Sequence, residues 1–172
     1  MESLLTKEEL LTAVKGTQIG SAPCLFNDVQ TDSRNVCAEK PCMFVPLMGE
    51  FQNGHKYIPD VLKKGVAVVL MNEAEYQEKV SYYEELAAAN AGVCFVRVEN
   101  TLHALQDAAE AYVTKKCHDM INARFNAEGV GSDRANFSHG LTDLILIRAN
   151  TDLNKQLIRR FAKVKEHHDS KG

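Results

Sequence analysis

Two apolar runs decide how this chain folds: Gly65-Val66-Ala67-Val68-Val69-Leu70, and Val93-Cys94-Phe95-Val96-Arg97-Val98. Val66 to Leu70 is apolar throughout and rich in β-branched valine, the pattern of a strand buried on both faces. Between the runs, Tyr76, Val80, Tyr83 and Ala87 recur at helical spacing, so residues 73–90 are predicted as a helix, which Gly92 ends. Residues 93–98 form the next strand. Alternating strands and helices of this kind build an α/β sheet with helices packed on its faces, and right-handed crossovers are expected for any parallel pairs.

The same reading extends outward. A helix over 56–64 carries Lys63 and Lys64 in its last turn and is followed by Gly65. Residues 25–31 and 42–48 read as strands. The second, CMFVPLM, is almost wholly apolar, and its Pro46 demotes it toward an edge or a strand end. Thr6 and Glu9 have capping-box spacing, which predicts a helix over 7–15 with Gly16 as its C-cap. Downstream, Thr101 caps a helix whose Leu102, Leu105, Ala109 and Tyr112 face inward. The element order predicts an α/β fold: a mixed, partly parallel sheet flanked by helices, with a C-terminal helical appendage.

Composition bounds the function. The 172 residues are 45% apolar and 25% charged, enough for a packed core. The net charge of −3 argues against nucleic acid as a partner. No run approaches a membrane span, and the start MESLLTKEELL lacks a signal-peptide pattern. Five cysteines with no C-x-x-C pair fit a reducing, cytoplasmic location. Cys94 reads as a small core residue. Cys37, Cys42 and His55 lack a fourth ligand at suitable spacing, so no metal site is expected.

The first 117 residues are net −5 and the remainder net +2. Residues 1–117 are therefore read as one domain and 118–172 as a linker plus a basic amphipathic helix. Positions 122–140 are polar and rich in Gly, Asn and Ser. Leu141 to Ile147 is apolar. Thr151 caps a helix with Leu153, Leu157, Phe161 and Val164 on one stripe.

Two loops leave apolar strands at what the element order places on one sheet edge, where open α/β sheets bind ligands. The first holds Thr31, Asp32, Ser33 and Arg34; a serine hydroxyl can donate to a phosphate oxygen, and an arginine can grip a phosphate with two donors. The second holds Gly49, Glu50, Phe51, Gln52, Asn53, Gly54 and His55, with glycines that let backbone amides approach a ligand. The plain alternative is that Asp-Ser-Arg forms an Asx turn and the glycines only make turns.

The spacing of these loops resembles a known family. Asp32-Ser33-Arg34, then Met43-Phe44-Val45-Pro46-Leu47, then Gly49-x-x-x-Asn53-Gly54-His55-x-Tyr57-Ile58, then Gly65-Val66-Ala67 is similar to the N-terminal domain of the Mur ligases. These are the ATP-dependent amide ligases of peptidoglycan synthesis. Val98-Glu99-Asn100-Thr101-Leu102-x-Ala104-Leu105-Gln106 looks most like the branch that adds D-alanyl-D-alanine to the UDP-muramoyl tripeptide (MurF), with the tripeptide-forming branch (MurE) second. The resemblance covers residues 4–115. It implies a module that binds UDP-N-acetylmuramoyl peptide. Thr31 and Ser33 match nucleotide-contacting positions, Glu50, Phe51 and Gln52 match a second contacting stretch, and Arg34 either touches phosphate or braces its loop. Asn53 stands where the family has aspartate, and Pro46 where it has alanine.

The resemblance also implies an ATPase domain, opening on a phosphate loop that ends in Gly-Lys. Here Gly129-Val130-Gly131-Ser132-Asp133-Arg134 occupies the corresponding region, and no lysine lies between Lys116 and Lys155. The chain is therefore expected to be truncated relative to a full ligase. It would have no catalytic residues and no cofactor of its own, because ATP and magnesium would belong to the missing central domain. Expected partners are the UDP-linked peptide, a central domain supplied in trans, or a second copy through the C-terminal helix. The rival expectation is a non-enzymatic interaction or oligomerisation module derived from the same domain.

Overall fold

The computed structural model describes residues 2–127, with side-chain environments given through Arg124. Five strands form one sheet in the order β1-β5-β4-β3-β2. They are β1 (Thr17–Ile19), β2 (Asp28–Gln30), β3 (Cys42–Phe44), β4 (Val68–Asn72) and β5 (Cys94–Val98). Strands β2 to β5 are parallel, and β1 adds antiparallel to β5 at the edge. The α/β sheet expected from the element order is thus present, mixed and partly parallel.

The central strands are buried on both faces, as the continuous apolar runs require. Met43, Val68, Leu70, Cys94, Val96 and Val98 point to one face. There α1 (Lys7–Val14) contributes Leu10 and Val14, and α5 (Thr101–Ala127) contributes Ala104, Leu105 and Ala108. Phe44, Val69, Met71 and Phe95 point to the other face. That face is covered by α2 (Ile58–Lys63), α3 (Glu73–Glu78) and α4 (Val80–Ala89), through Ile58, Val61, Tyr76 and Tyr83.

Several local expectations are refined. The Thr6–Glu9 capping box forms with both bonds at 3.2 Å. The left-handed residue that ends α1 is Lys15, not Gly16. Gly16 is small because a Cβ there would run into Val96 Cγ1. The third strand ends at Phe44 and lies inside the sheet, so Pro46 terminates it and does not put it at an edge. The helix expected over 73–90 breaks at Lys79 (φ −137°, ψ 45°). Thr101 does not cap α5: Asn100 Oδ1 accepts from His103 N at 3.0 Å, while the Thr101 hydroxyl donates to the Pro46 carbonyl. Along α5, Thr101, Ala104, Leu105, Ala108, Val113, Cys117 and Ile121 are buried, while Leu102, Ala109 and Tyr112 are half-buried. The short strand β1 carries no alternation long enough to see in the sequence.

Cys94 is buried as expected but is not an inert core thiol: it is disulfide-bonded to Cys24 across 70 residues. Cys37 is exposed, and Cys42 and Cys117 are buried and free. Helix α5 passes position 117 without a break, so residues 118–127, part of the stretch read as linker, continue the last helix. The apolar segment 141–147 and the basic helix from Thr151 lie outside the described residues. Among the described residues no helix is long and apolar enough to cross a membrane.

Candidate functional site

Parallel pairing brings the two loops to adjacent strand ends. Gln30 of β2 is level with Phe44 of β3, and Val45 N donates to the Gln30 carbonyl at 2.9 Å. Both chains then leave at the carboxyl edge of the sheet.

In the first loop the Asx turn forms and also engages the arginine. Asp32 Oδ1 accepts from Arg34 N at 2.9 Å and opens a 3-10 turn over Ser33–Asn35. The Arg34 guanidinium grips the same carboxylate, Nη2 to Oδ2 at 2.6 Å and Nε to both oxygens at 3.0 and 3.1 Å. Hydrogen bonding to Asp32, then its charge, raises the Arg34 pKa. The Arg34 side chain is nevertheless 72% exposed. Lys64 Nζ donates to the Ser33 carbonyl at 2.8 Å, tying the turn to the end of α2. The Thr31 and Ser33 hydroxyls have no hydrogen-bond partner among the described residues.

In the second loop Met48 pairs with Asn53, and Gly49 N donates to the Gln52 carbonyl at 2.7 Å. This tight reversal presents Glu50, Phe51 and Gln52 to solvent, with Phe51 77% exposed. Gly54 follows because the backbone doubles back on itself: a Cβ would meet Leu47 N at 2.8 Å and Leu47 O at 2.9 Å. Asn53 Oδ1 then accepts from His55 N at 2.9 Å and lies 2.7 Å from His55 Nδ1. Asn72 N donates to His55 Nε2 at 2.9 Å. One ring nitrogen faces an acceptor and the other a donor, which assigns the neutral imidazole with its proton on Nδ1. Burial lowers the His55 pKa to about 4; the Glu75 charge opposes that shift and Lys79 adds to it.

The structure adds residues that sequence reasoning missed. A cleft of about 440 Å³ opens beside His55, walled by Asn53, Glu75, Lys79, Tyr82 and Tyr83. The Glu75 carboxylate is buried and accepts from Asn53 Nδ2 (3.0 Å), Lys79 Nζ (3.0 Å) and Tyr83 Oη (3.1 Å). Burial alone would raise its pKa, but these three donors and the Lys79 charge lower it. Glu75 sits among Glu73, Gln77, Glu78 and Lys79, a polar stretch that reads as a solvated face. Only the amphipathic position beside Tyr76 marked it. The structure thus joins Asn53 and His55 to α3, and Asp32 to Arg34. Among the described residues no side-chain hydrogen bond ties Glu50, Phe51 or Gln52 to either cluster, and the tip meets the second through the Met48–Asn53 pair at its base. Among the described residues no group of three His, Cys, Asp or Glu side chains could hold a metal ion. Burial pushes the Cys42 thiol up to about 11.

A largely parallel sheet with two loops and a polar cleft at its carboxyl edge defines an open α/β domain, the class whose ligand sites lie at that edge. A family model described as "Mur ligase family, catalytic domain" matches residues 26–113, and this chain belongs to the Mur ligase family. It is 32% identical over 114 residues to the UDP-N-acetylmuramoyl-tripeptide–D-alanyl-D-alanine ligase of Treponema pallidum (strain Nichols). That match covers 65% of this chain and 24% of the relative, so the chain spans about a quarter of the relative's length. A solved structure of the UDP-N-acetylmuramoylalanyl-D-glutamyl-2,6-diaminopimelate–D-alanyl-D-alanyl ligase from Acinetobacter baumannii is similar over 65% of this chain and 22% of its own. Its TM-score is 0.45 and its identity 20%. A crystal structure of MurF from the same organism is similar over 64% of this chain and 21% of its own, with TM-score 0.43 and 20% identity.

Proposed function

We propose that this chain is the substrate-anchoring module of a MurF-like amide ligase of peptidoglycan synthesis, and that it binds the uridine diphosphate end of a UDP-N-acetylmuramoyl peptide. The observation that carries the reading is the side-by-side delivery of Thr31–Arg34 and Gly49–His55 at the ends of β2 and β3. Thr31 and Ser33 offer unengaged hydroxyls there, Arg34 keeps donors in solvent beside its Asp32 contact, and the 49–52 reversal offers Glu50, Phe51 and Gln52 to the ligand. Arg34 then has two tasks: bracing the turn through Asp32 and presenting a fixed positive fork to a phosphate.

The module holds one substrate and leaves chemistry to another part of the ligase. Acyl-phosphate formation needs ATP, magnesium and a positioned amine. The 172 residues contain no G-x-x-x-x-G-K-[ST] run, so ATP and magnesium are assigned to a central domain beyond this one or in a separate chain.

Calorimetric titration with UDP-N-acetylmuramoyl tripeptide, with UDP and ATP as comparisons, tests the proposal. Binding of both UDP compounds and not of ATP is the expected result. No heat at millimolar UDP compound would overturn it.

A further inference from the structure

We infer that Glu75, which lies outside both motif loops, is the positioning residue of the second loop: it selects an amide at position 53 and through it fixes Gly49–His55. Its consequence for ligand binding rests on the function proposed above; the pairing itself does not.

The argument is an inventory of donors and acceptors. An ionised carboxylate only accepts. Glu75 Oε1 accepts from Lys79 Nζ and Tyr83 Oη, and Oε2 accepts from Asn53 Nδ2. Position 53 must therefore donate. The aspartate of the family pattern would instead set a second carboxylate about 3 Å from the first in a buried site, where two like charges cannot both ionise cheaply. Asparagine resolves this, because Nδ2 serves Glu75 while Oδ1 still receives the His55 amide and ring protons.

The bonds also close into a ring. Glu75 holds Asn53, Asn53 holds His55, and His55 Nε2 accepts from Asn72 N, three residues before Glu75. The start of α3 thus clamps the loop at two points. Asn72 extends the clamp by accepting from Thr101 N at 2.8 Å through Oδ1. Position 53 is also the partner of Met48 across the reversal, so its placement sets the base of the 49–52 tip.

The test is a reciprocal exchange in the full chain: Asn53→Asp, Glu75→Gln and the double variant. In the double variant the amide introduced at position 75 donates to the carboxylate introduced at position 53, and its carbonyl oxygen still accepts from Tyr83 and Lys79. We expect Asn53→Asp to lower the thermal midpoint by about 5 °C or more, and the double variant to recover most of that loss. Glu75→Gln alone should speed hydrogen exchange at the His55 and Asn72 amides by about tenfold. That readout serves even where Asn53→Asp does not fold. Unchanged exchange in Glu75→Gln, an unperturbed Asn53→Asp, or a double variant no better than the sum of the singles would each overturn the inference.

In titrations with UDP-N-acetylmuramoyl tripeptide, Asn53→Asp should bind about tenfold more weakly and the double variant close to wild type. Thermal coupling with no binding by any form would uphold the pairing and sink the ligand reading. Wild-type binding without thermal coupling would do the reverse.

Discussion

Arg34 lies across the carboxylate of Asp32, two residues before it, with Nη2 at 2.6 Å from Oδ2 and Nε shared between the two oxygens. The pair closes the 3-10 turn from the side-chain side, where Asp32 Oδ1 also accepts from Arg34 N, while Asn35 N donates to the Asp32 carbonyl at 3.1 Å and closes it from within. The turn itself therefore orients the arginine, which would reduce the ordering cost of the phosphate contact proposed for it.

It follows that Ser33→Ala with Arg34→Ala should cost ligand affinity and not stability. The thermal midpoint should stay at the wild-type value, because Arg34 is exposed and such pairs contribute little. Affinity for UDP-N-acetylmuramoyl tripeptide should fall by about tenfold or more, as charge-assisted contacts to phosphate are lost. Unchanged affinity in calorimetry would remove the first loop from the site.

Gly54→Ala should destabilise the domain by about 2 kcal/mol or more. The added methyl meets backbone atoms, Leu47 N and O and Pro46 Cα, that cannot turn away as a flexible side chain would. Urea unfolding measures this; a midpoint equal to wild type would show that the loop opens freely.

Acid should weaken the fold through His55. Burial lowers its folded pKa to about 4, below its unfolded value of 6.5. Between these values the unfolded state binds the extra proton, so stability rises with pH. The contribution is complete above 6.5 and is lost as pH falls through 4, with a limit of about 3 kcal/mol. Glu75 adds loss of the same sign at lower pH, since its folded pKa is also lowered. Thermal melts from pH 7 to pH 4 should show the slope, and His55→Gln should flatten it. An equal slope in that variant would assign the effect elsewhere.

Reducing the Cys24–Cys94 bond should lower stability by up to about 4 kcal/mol, the loop-entropy value for a 70-residue closure. Both residues are almost fully buried, so the reduced thiols remain compatible with the core. Denaturant curves with and without dithiothreitol measure the difference. Coincident curves would mean that the bond constrains nothing in the unfolded chain.

Much of this was legible from residues alone. Val66–Leu70 is apolar at every position and Val93–Val98 at all but Arg97, short valine-rich runs of the length and composition of strands buried on both faces, and β4 and β5 are central. The Thr6–Glu9 spacing marked the start of α1 to the residue. The Asp-Ser-Arg and Asn-Gly-His loops were found because turn chemistry is local: each Asx side chain bonds a backbone amide two residues on.

The sequence by itself marked strands β2 to β5, the helices that flank them and the two loops that follow β2 and β3, because periodicity and capping are set by residues within a turn or two of each other; the three-residue β1 and the break at Lys79 it did not mark. Only the tertiary structure decided that Glu75 turns inward to Asn53, that Thr101 binds the Pro46 carbonyl, and that Cys24 meets Cys94. These partners are 22, 55 and 70 residues apart. A local pattern reports the face a side chain occupies; which group waits on that face depends on the sheet order and on how the helices cross it.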